Sequence, residues 1–350
     1  MKTTDDGASP RLDRSSSRVA NRDSANDAVE MNAHFDVIVV GSLNHDIVVA
    51  VDRRPGAGET VVGTGISHGC GGKGGNQATA AALAGAEVAL LAALGDDQEG
   101  AQQIAELTSC GVDTRFVIRS SEQRTSMALI TVTDDGENAI VVTPGANDLV
   151  TARQVLEVLD DQEISARVVL AQSELGAAAC DAAAELARRI GARFVLSNGP
   201  VVRVDPDTWA LCDPVIVNEH EAKDVIVAAG ETVPVPLDPV QLARRLQSIS
   251  TARSVVITLG ASGSVFGPGA GGEYERVPAT KVETVIDTTG AGDTYAGAAA
   301  AALAGGASLA QACIAAANAA AASVRWPGAR PPIAPAATEG TSAVGSNRRL

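Results

Sequence analysis

Apolar runs recur along this chain, and each closes on a polar or glycine-rich turn. Residues 35–40 run into Gly41-Ser42-Leu43-Asn44-His45-Asp46, and residues 167–171 into Gln172-Ser173-Glu174. Residues 194–196 lead to Ser197-Asn198-Gly199-Pro200, residues 215–217 to Asn218-Glu219-His220-Glu221, and residues 254–258 to Leu259-Gly260-Ala261-Ser262-Gly263. Continuous rather than alternating apolar runs are what strands buried on both faces of a parallel sheet require. Helical segments separate them, so the chain is an α/β protein with its ligands outside the carboxyl ends of the strands. Random loops would put such turns at both ends of the sheet. Two places break the alternation. Residues 47–51 and 60–67 flank Arg53-Arg54-Pro55-Gly56-Ala57-Gly58, and residues 125–133 and 138–143 flank Asp134-Asp135-Gly136, a hairpin signal. The first pair reads as a small ribbon that can serve as a flap.

The chain is 350 residues long with a net charge of −15, which argues against nucleic acid or an anionic membrane as partner. Aromatic residues are only 2%, so Ala, Val, Leu and Ile must fill the core. The cysteines, Cys70, Cys110, Cys180, Cys212 and Cys313, form no C-x-x-C pair, which suits free thiols in a reducing cytoplasm. No apolar run is long enough to span a membrane without Gly or charged breaks. Residues 1–33 are polar and lack the apolar stretch of a secretory signal; they read as a disordered extension, and residues 336–350 as a flexible tail. The histidines, His34, His45, His68 and His220, show no metal-ligand spacing and read as surface residues or residues behind the site. No G-x-S-x-G elbow is present.

Two glycine-rich segments carry the chemistry. Gly290, Ala291, Gly292 and Asp293 stand at the mouth of an Ala-rich helix, after Asp287-Thr288-Thr289. Exposed amides with a helix dipole behind them form an anion site. A carboxylate on the same turn can take a proton from a hydroxyl while a phosphoryl group is held; it can equally be a simple cap. The second segment, Gly69 to Gln77, contains G-x-G-x-x-G but follows a ribbon rather than the first strand. It also lacks the Ser or Thr of a Walker loop after Gly72-Lys73. What remains is a helix entrance offering Lys73 and Asn76 to ligand hydroxyls. Asn44 and Asp46 point to one side of an extended segment, where they could share a polyhydroxylated ligand or form an Asx-turn. Glu174 could contact ligand or cap a helix.

With these motifs assembled, the sequence resembles the ribokinase/phosphofructokinase-B superfamily of sugar kinases, and within it the bacterial ribokinases, over residues 35–335. Gly71 to Ala78 looks like the family's N-terminal signature and Asp287 to Thr294 its C-terminal one, with Asn218-x-x-Glu221 between. The resemblance implies a three-layer α/β/α domain over residues 34–335 with a mainly parallel central sheet. A small β-sheet lid, from about 47–67 and 125–143, is often the homodimer interface. It implies ATP-dependent phosphorylation of the 5-hydroxyl of D-ribose to ribose 5-phosphate, as in ribose catabolism. Asn44, Asp46, Gly72, Lys73, Asn76 and Glu174 would hold the sugar. Asp293 would be the catalytic base, with the amides of Gly290 to Gly292 as anion hole. Asn218 would organise the nucleotide phosphates and Glu221 Mg²⁺ through water. Thr258, Gly260, Ser262 and Gly263 would run along the nucleotide, with Asn318 near adenine. K⁺ would activate, bound by Asp287 with the carbonyls of Thr289, Ser323, Trp326 and Gly328. Pro332 departs from the pattern, standing where a Ser hydroxyl is usual. The rival readings are a related kinase acting on another sugar or a nucleoside, and a catalytically silent binding protein. Few aromatics for base stacking weigh against a nucleoside, and the presence of Asp293 and Lys73 against silence.

Overall fold

The computed structural model describes residues 33–158, 164–233, 237–267, 269 and 271–332. The N-terminal extension therefore lies outside the described residues except for Ala33, which opens the first strand; the expected tail lies outside as well.

The strands are β1 (Ala33–Val40), β2 (Asn44–Val51), β3 (Gly63–Gly71), β4 (Val88–Gly95), β5 (Val112–Asp113), β6 (Val117–Ser120), β7 (Ser126–Thr133), β8 (Asn138–Thr143), β9 (Ile164–Gln172), β10 (Arg193–Ser197), β11 (Cys212–Asn218), β12 (Val255–Thr258), β13 (Ser264–Gly267) and β14 (Glu275–Val277). The helices are α1 (Lys73–Leu83), α2 (Gln98–Ser109), α3 (Ala152–Glu157), α4 (Ala177–Ile190), α5 (Pro206–Leu211), α6 (Glu219–Ala228), α7 (Pro239–Ser250), α8 (Ala291–Ala304) and α9 (Leu309–Ser323).

The large sheet runs β14-β13-β12-β11-β10-β9-β1-β4-β5, with β6 also paired to β4. It is parallel from β12 through β5; β13 and β14 add an antiparallel edge. Side chains alternate faces along each strand, so one strand feeds two cores. On β1, Ile38 and Val40 join the layer containing Leu186 of α4, Ile226 of α6 and Leu246 of α7. Val37 and Val39 join the opposite layer with Ala78 of α1, Ala299 of α8 and Ala316 of α9. Helices on both faces of a mainly parallel sheet make the three-layer α/β/α arrangement. The alanine-rich helices let α1, α8 and α9 pack side by side; each fully buried Leu or Ile beneath them contributes roughly 1.5–3 kcal/mol.

A separate four-stranded sheet has the order β3-β2-β7-β8. Its strands overlap the ranges 47–67 and 125–143, but β2 starts earlier, at Asn44, and β3 ends later, at Gly71. The strand expected over 60–67 is displaced to Gly63–Gly71 because β3 continues to pair with β2 as far as Asn44 opposite Gly71. Ile66, Leu129, Ile140, Val141 and Val142 of this sheet are exposed.

Candidate active site

The carboxyl ends of the parallel strands, the start of α1 and the start of α8 converge on one place. Gly290 is the N-cap of α8 with φ of 74°. A side chain there would be strained by the left-handed backbone, and its Cβ would lie 2.6 Å from that of Ala329. The turn delivers Asp293 to the first turn of α8, where it is only 7% exposed. Both carboxylate oxygens of Asp293 are held. Asn76 donates from Nδ2 to Oδ2 at 3.0 Å and Gln77 from Nε2 to Oδ1 at 3.1 Å, both residues lying on α1. An isolated buried carboxylate would be costly; two amide donors and the nearby Lys73 offset that cost. Asp293 is the largest influence on Lys73, holding its ammonium above the ordinary lysine range against burial. The first amides of a helix lack internal partners. Here the Ala291 N–H already donates to the Thr288 carbonyl at 3.2 Å.

Beside Asp293 lies a polar cluster. Gly72 caps α1. The Lys73 amide donates to Glu174 Oε2 at 3.2 Å, and the Ser42 hydroxyl donates to the same oxygen. Glu174 sits on a 3₁₀ turn after β9 and does not cap α4, whose N-cap is Gly176. Asn44 is buried at the start of β2 and its Oδ1 accepts from Asn147 Nδ2 at 2.9 Å. Asp46 follows two residues on; both are extended strand residues paired with β3, so neither sits in an Asx-turn. Burial pushes the Asp46 carboxyl up to about 6; Arg330 opposes this, while Glu174 and Asp293 add to it. The sugar-site candidates are thus gathered around Asp293.

On the other side of α8 a cavity of about 470 Å³ is lined by Thr258, Gly260, Gly263, Gly292 and Tyr295, among others. Ser262 is not among its lining residues and is exposed on its turn. Asn318 instead lines a neighbouring hollow of about 440 Å³ and accepts a hydrogen bond from the Thr280 hydroxyl at 2.6 Å. At the head of α6, Asn218 and Glu221 form a reciprocal capping box: Asn218 N donates to Glu221 Oε2 at 2.7 Å, and Glu221 N to Asn218 Oδ1 at 2.8 Å. Burial raises the Glu221 carboxyl, and Asp293 and Asp224 raise it further against Lys73 and the Asn218 amide. A divalent cation would relieve that crowding of carboxylates. Among the described residues no group of three His, Cys, Asp or Glu is placed to hold a metal directly.

Asp287 ties two loops together. Its Oδ1 accepts from the Thr289 amide and its Oδ2 from the Gly328 amide, each at 2.8 Å. Burial works against the charge, but these amides outweigh it and hold the carboxyl below its ordinary value. Ser323 is buried with its hydroxyl on the Ala320 carbonyl at 2.9 Å, and Trp326 Nε1 is buried without a partner among the described residues. A carboxylate and backbone carbonyls are hard oxygen donors, the kind that would suit an alkali cation rather than a transition metal.

Gln103 on α2, which is fully buried, and Arg330, which joins it from much later in the chain, carried no signal in the sequence; Gln77 lies inside the signature segment, which gave it no role of its own. His45 is buried and its Nε2 lies 3.1 Å from His68 Nδ1, while His34 reaches Ser165. All the cysteines are free thiols. No described helix is long and apolar enough to cross a membrane.

Comparison with known proteins follows the same lines. The ribokinase of Schizosaccharomyces pombe is 34% identical over 271 residues, spanning 75% of this chain and 84% of its own. That of Bacillus subtilis is 34% identical over 265 residues, spanning 76% and 84%. The structure of Arabidopsis thaliana ribokinase complexed with ribose and ATP superposes with a TM-score of 0.72 at 27% identity, covering 85% of this chain and 94% of that one. The family model for pfkB family carbohydrate kinases matches residues 34–337. With nearly the whole described chain matched and the two glycine-rich helix entrances meeting at one buried aspartate, this protein belongs to the pfkB family of carbohydrate kinases.

Proposed function

We propose that this chain is a ribokinase, transferring the γ-phosphoryl group of ATP to the 5-hydroxyl of D-ribose to give ribose 5-phosphate. The observation that carries the reading is Asp293, clamped by Asn76 and Gln77 between the cluster of Asn44, Asp46, Lys73 and Glu174 and the 470 Å³ cavity. In this reading the cluster holds the sugar hydroxyls and the cavity takes the nucleotide along Thr258, Gly260 and Gly263. Asp293 accepts the proton of the attacking hydroxyl on a carboxylate oxygen already oriented by an amide. The amides at the head of α8, from Gly290 to Gly292, donate to the oxygens of the transferring phosphoryl and stabilise its charge in line with the helix dipole. A phosphoryl oxygen there competes with the Thr288 carbonyl for the Ala291 amide, whose present contact is long. Lys73 keeps its charge beside Asp293 and neutralises the crowded carboxylates. Mg²⁺ entering with ATP neutralises phosphate charge when bound, and Glu221 would hold it through water while Asn218 orders the loop.

K⁺ would sit between the loops that Asp287 joins, with carbonyls of Thr289, Ser323, Trp326 and Gly328 as ligands. The small sheet would act as the lid over the sugar. Its exposed Ile66, Leu129, Ile140, Val141 and Val142 support a homodimer through it, since so many apolar side chains on an open sheet ask for a cover. Free thiols are consistent with a cytoplasmic enzyme.

A coupled assay over D-ribose, 2-deoxyribose, fructose and adenosine tests the reading. D-ribose should give the highest kcat/KM. A higher value for adenosine or fructose would overturn the substrate, and no turnover with any of them would overturn the reading as a ribokinase.

A further inference from the structure

Arg330 lies two residues past Gly328, in the last described segment of the chain, yet its side chain is only 3% exposed. The guanidinium has four contacts. Nε donates to Asn76 Oδ1 at 2.9 Å and Nη2 to the Gly71 carbonyl at 2.9 Å. Nη1 donates to Gln103 Oε1 at 3.0 Å and to Glu106 Oε1 at 3.2 Å. The N-terminal signature makes room for it: a Cβ on Gly75 would lie 2.0 Å from Nη2.

Guanidinium is a donor only, whereas an amide side chain can present either its oxygen or its nitrogen. Facing Arg330, Asn76 must present Oδ1, and this turns its Nδ2 onto Asp293 Oδ2. Flipped, Asn76 would set an oxygen against the carboxylate. The same logic applies to Gln103. Its Oε1 is held by Arg330, and its Nε2 then donates to the Asn44 carbonyl at 2.6 Å and the Gly71 carbonyl at 3.2 Å. One buried cation therefore sets two amides, one on Asp293 and the other on the strand that carries Asn44 and Asp46. A purely structural ion pair would need only Glu106.

We propose that Arg330 is a positioning residue for phosphoryl transfer, fixing the Asn76 and Gln103 amides so that Asp293 and the start of β2 face the sugar in one arrangement. The proposal rests on the reading of Asp293 as the base and of Asn44, Asp46 and Asn76 as sugar ligands.

Kinetics of Arg330→Met and Arg330→Lys test it, with Asp293→Asn alongside. Both Arg330 variants should lose about 10- to 100-fold in kcat/KM for ribose, the scale of a small misplacement of reacting groups, with the KM for ATP within about twofold. Lysine should fail to rescue, since a point charge cannot reach both amides. In an Asn76→Ala background the Arg330→Met loss should shrink, as expected when one residue acts partly through the other. Glu106→Gln keeps an acceptor for Nη1 and should retain the wild-type ribose KM. The acid limb of kcat/KM should move to higher pH in Arg330→Met, because Asp46 loses its cationic neighbour while Glu174 and Asp293 still face it; a role confined to stability would not move that limb. If Arg330→Met does not fold, Arg330→Lys carries the test, and wild-type ribose kinetics in it would overturn the proposal. Full turnover in Asp293→Asn would instead overturn the reading of the site itself.

Discussion

Asp46→Asn should make the ligand-free protein more stable and the sugar site weaker. Burial, with Glu174 and Asp293 nearby, holds the Asp46 carboxyl at about 6, against an ordinary value of 3.8. The difference is about 2 pKa units, and at about 1.4 kcal/mol each it amounts to about 3 kcal/mol. The sign follows from the direction of the shift. A carboxyl raised in the folded state contributes stability below its unfolded pKa and loses it as pH rises through the folded one, here between about 4 and 6. Asparagine keeps the shape and removes the charge, so the variant should gain up to about 3 kcal/mol over wild type at pH 8. The gain should shrink as pH falls below about 6, where wild-type Asp46 is itself protonated. Ribose binding should move the other way, losing charge-assisted hydrogen bonds of roughly 1.5–3 kcal/mol each. Guanidinium titrations of the ligand-free protein at pH 5, 6.5 and 8, read with ribose calorimetry at pH 8, measure both. A variant no more stable than wild type at pH 8, or one that binds ribose equally well, would refute the placement of a buried, strained charge at the sugar.

Asp293→Asn should keep ribose and ATP binding while kcat falls by about 10²–10⁴; single-turnover rates check this, and near wild-type rates would remove Asp293 as the base. Gly75→Ala should displace Arg330 from its pocket, lowering the melting temperature and raising the ribose KM; retention of both would show that the guanidinium has room to spare. K⁺ should raise kcat/KM above Na⁺ or a bulky organic cation at constant ionic strength, and Pro332→Ser should tighten its apparent affinity. Equal rates in all three salts would leave Asp287 as a plain clamp between loops.

The sheet was legible because buried parallel strands are written as unbroken apolar runs; β1, β9, β10 and β11 extend those runs by one to a few residues, while β12 begins one residue later, at Val255. β3 was misplaced for a physical reason. Gly69 to Gly71 carry no side-chain period, and what keeps them extended is pairing with β2, which no local pattern records. A Cβ on Gly71 would fall 2.1 Å from Asp46 Oδ2, so that glycine answers to a carboxylate on a neighbouring strand. Asp293, Lys73 and Asn76 were legible because they sit in glycine-rich helix entrances. Gln103 and Arg330 were not, because a glutamine on an amphipathic helix and an arginine near a chain end look like surface residues. Both are buried by contacts between segments far apart in sequence, Arg330 against Gly71 and Asn76, and Gln103 against Asn44 and Arg330.

The Arg330 contact also changes how the site should be thought of as a unit. Three consecutive residues each touch a different part of it. The Gly328 amide holds Asp287, Ala329 lies against Gly290 at the head of α8, and Arg330 orients Asn76. A shift of this short segment cannot move one contact without pulling on the other two, since adjacent Cα atoms are fixed about 3.8 Å apart. A cation that orders the Asp287 loop would therefore act on the sugar side through Arg330 as well as on the anion hole through Gly290. Its effect should accordingly appear in the ribose KM together with kcat, and in Arg330→Met the KM part should vanish while the kcat part remains. An effect of K⁺ on kcat alone in the wild-type enzyme would mean that the segment bends between Gly328 and Arg330 and that the two sides of the site are set independently.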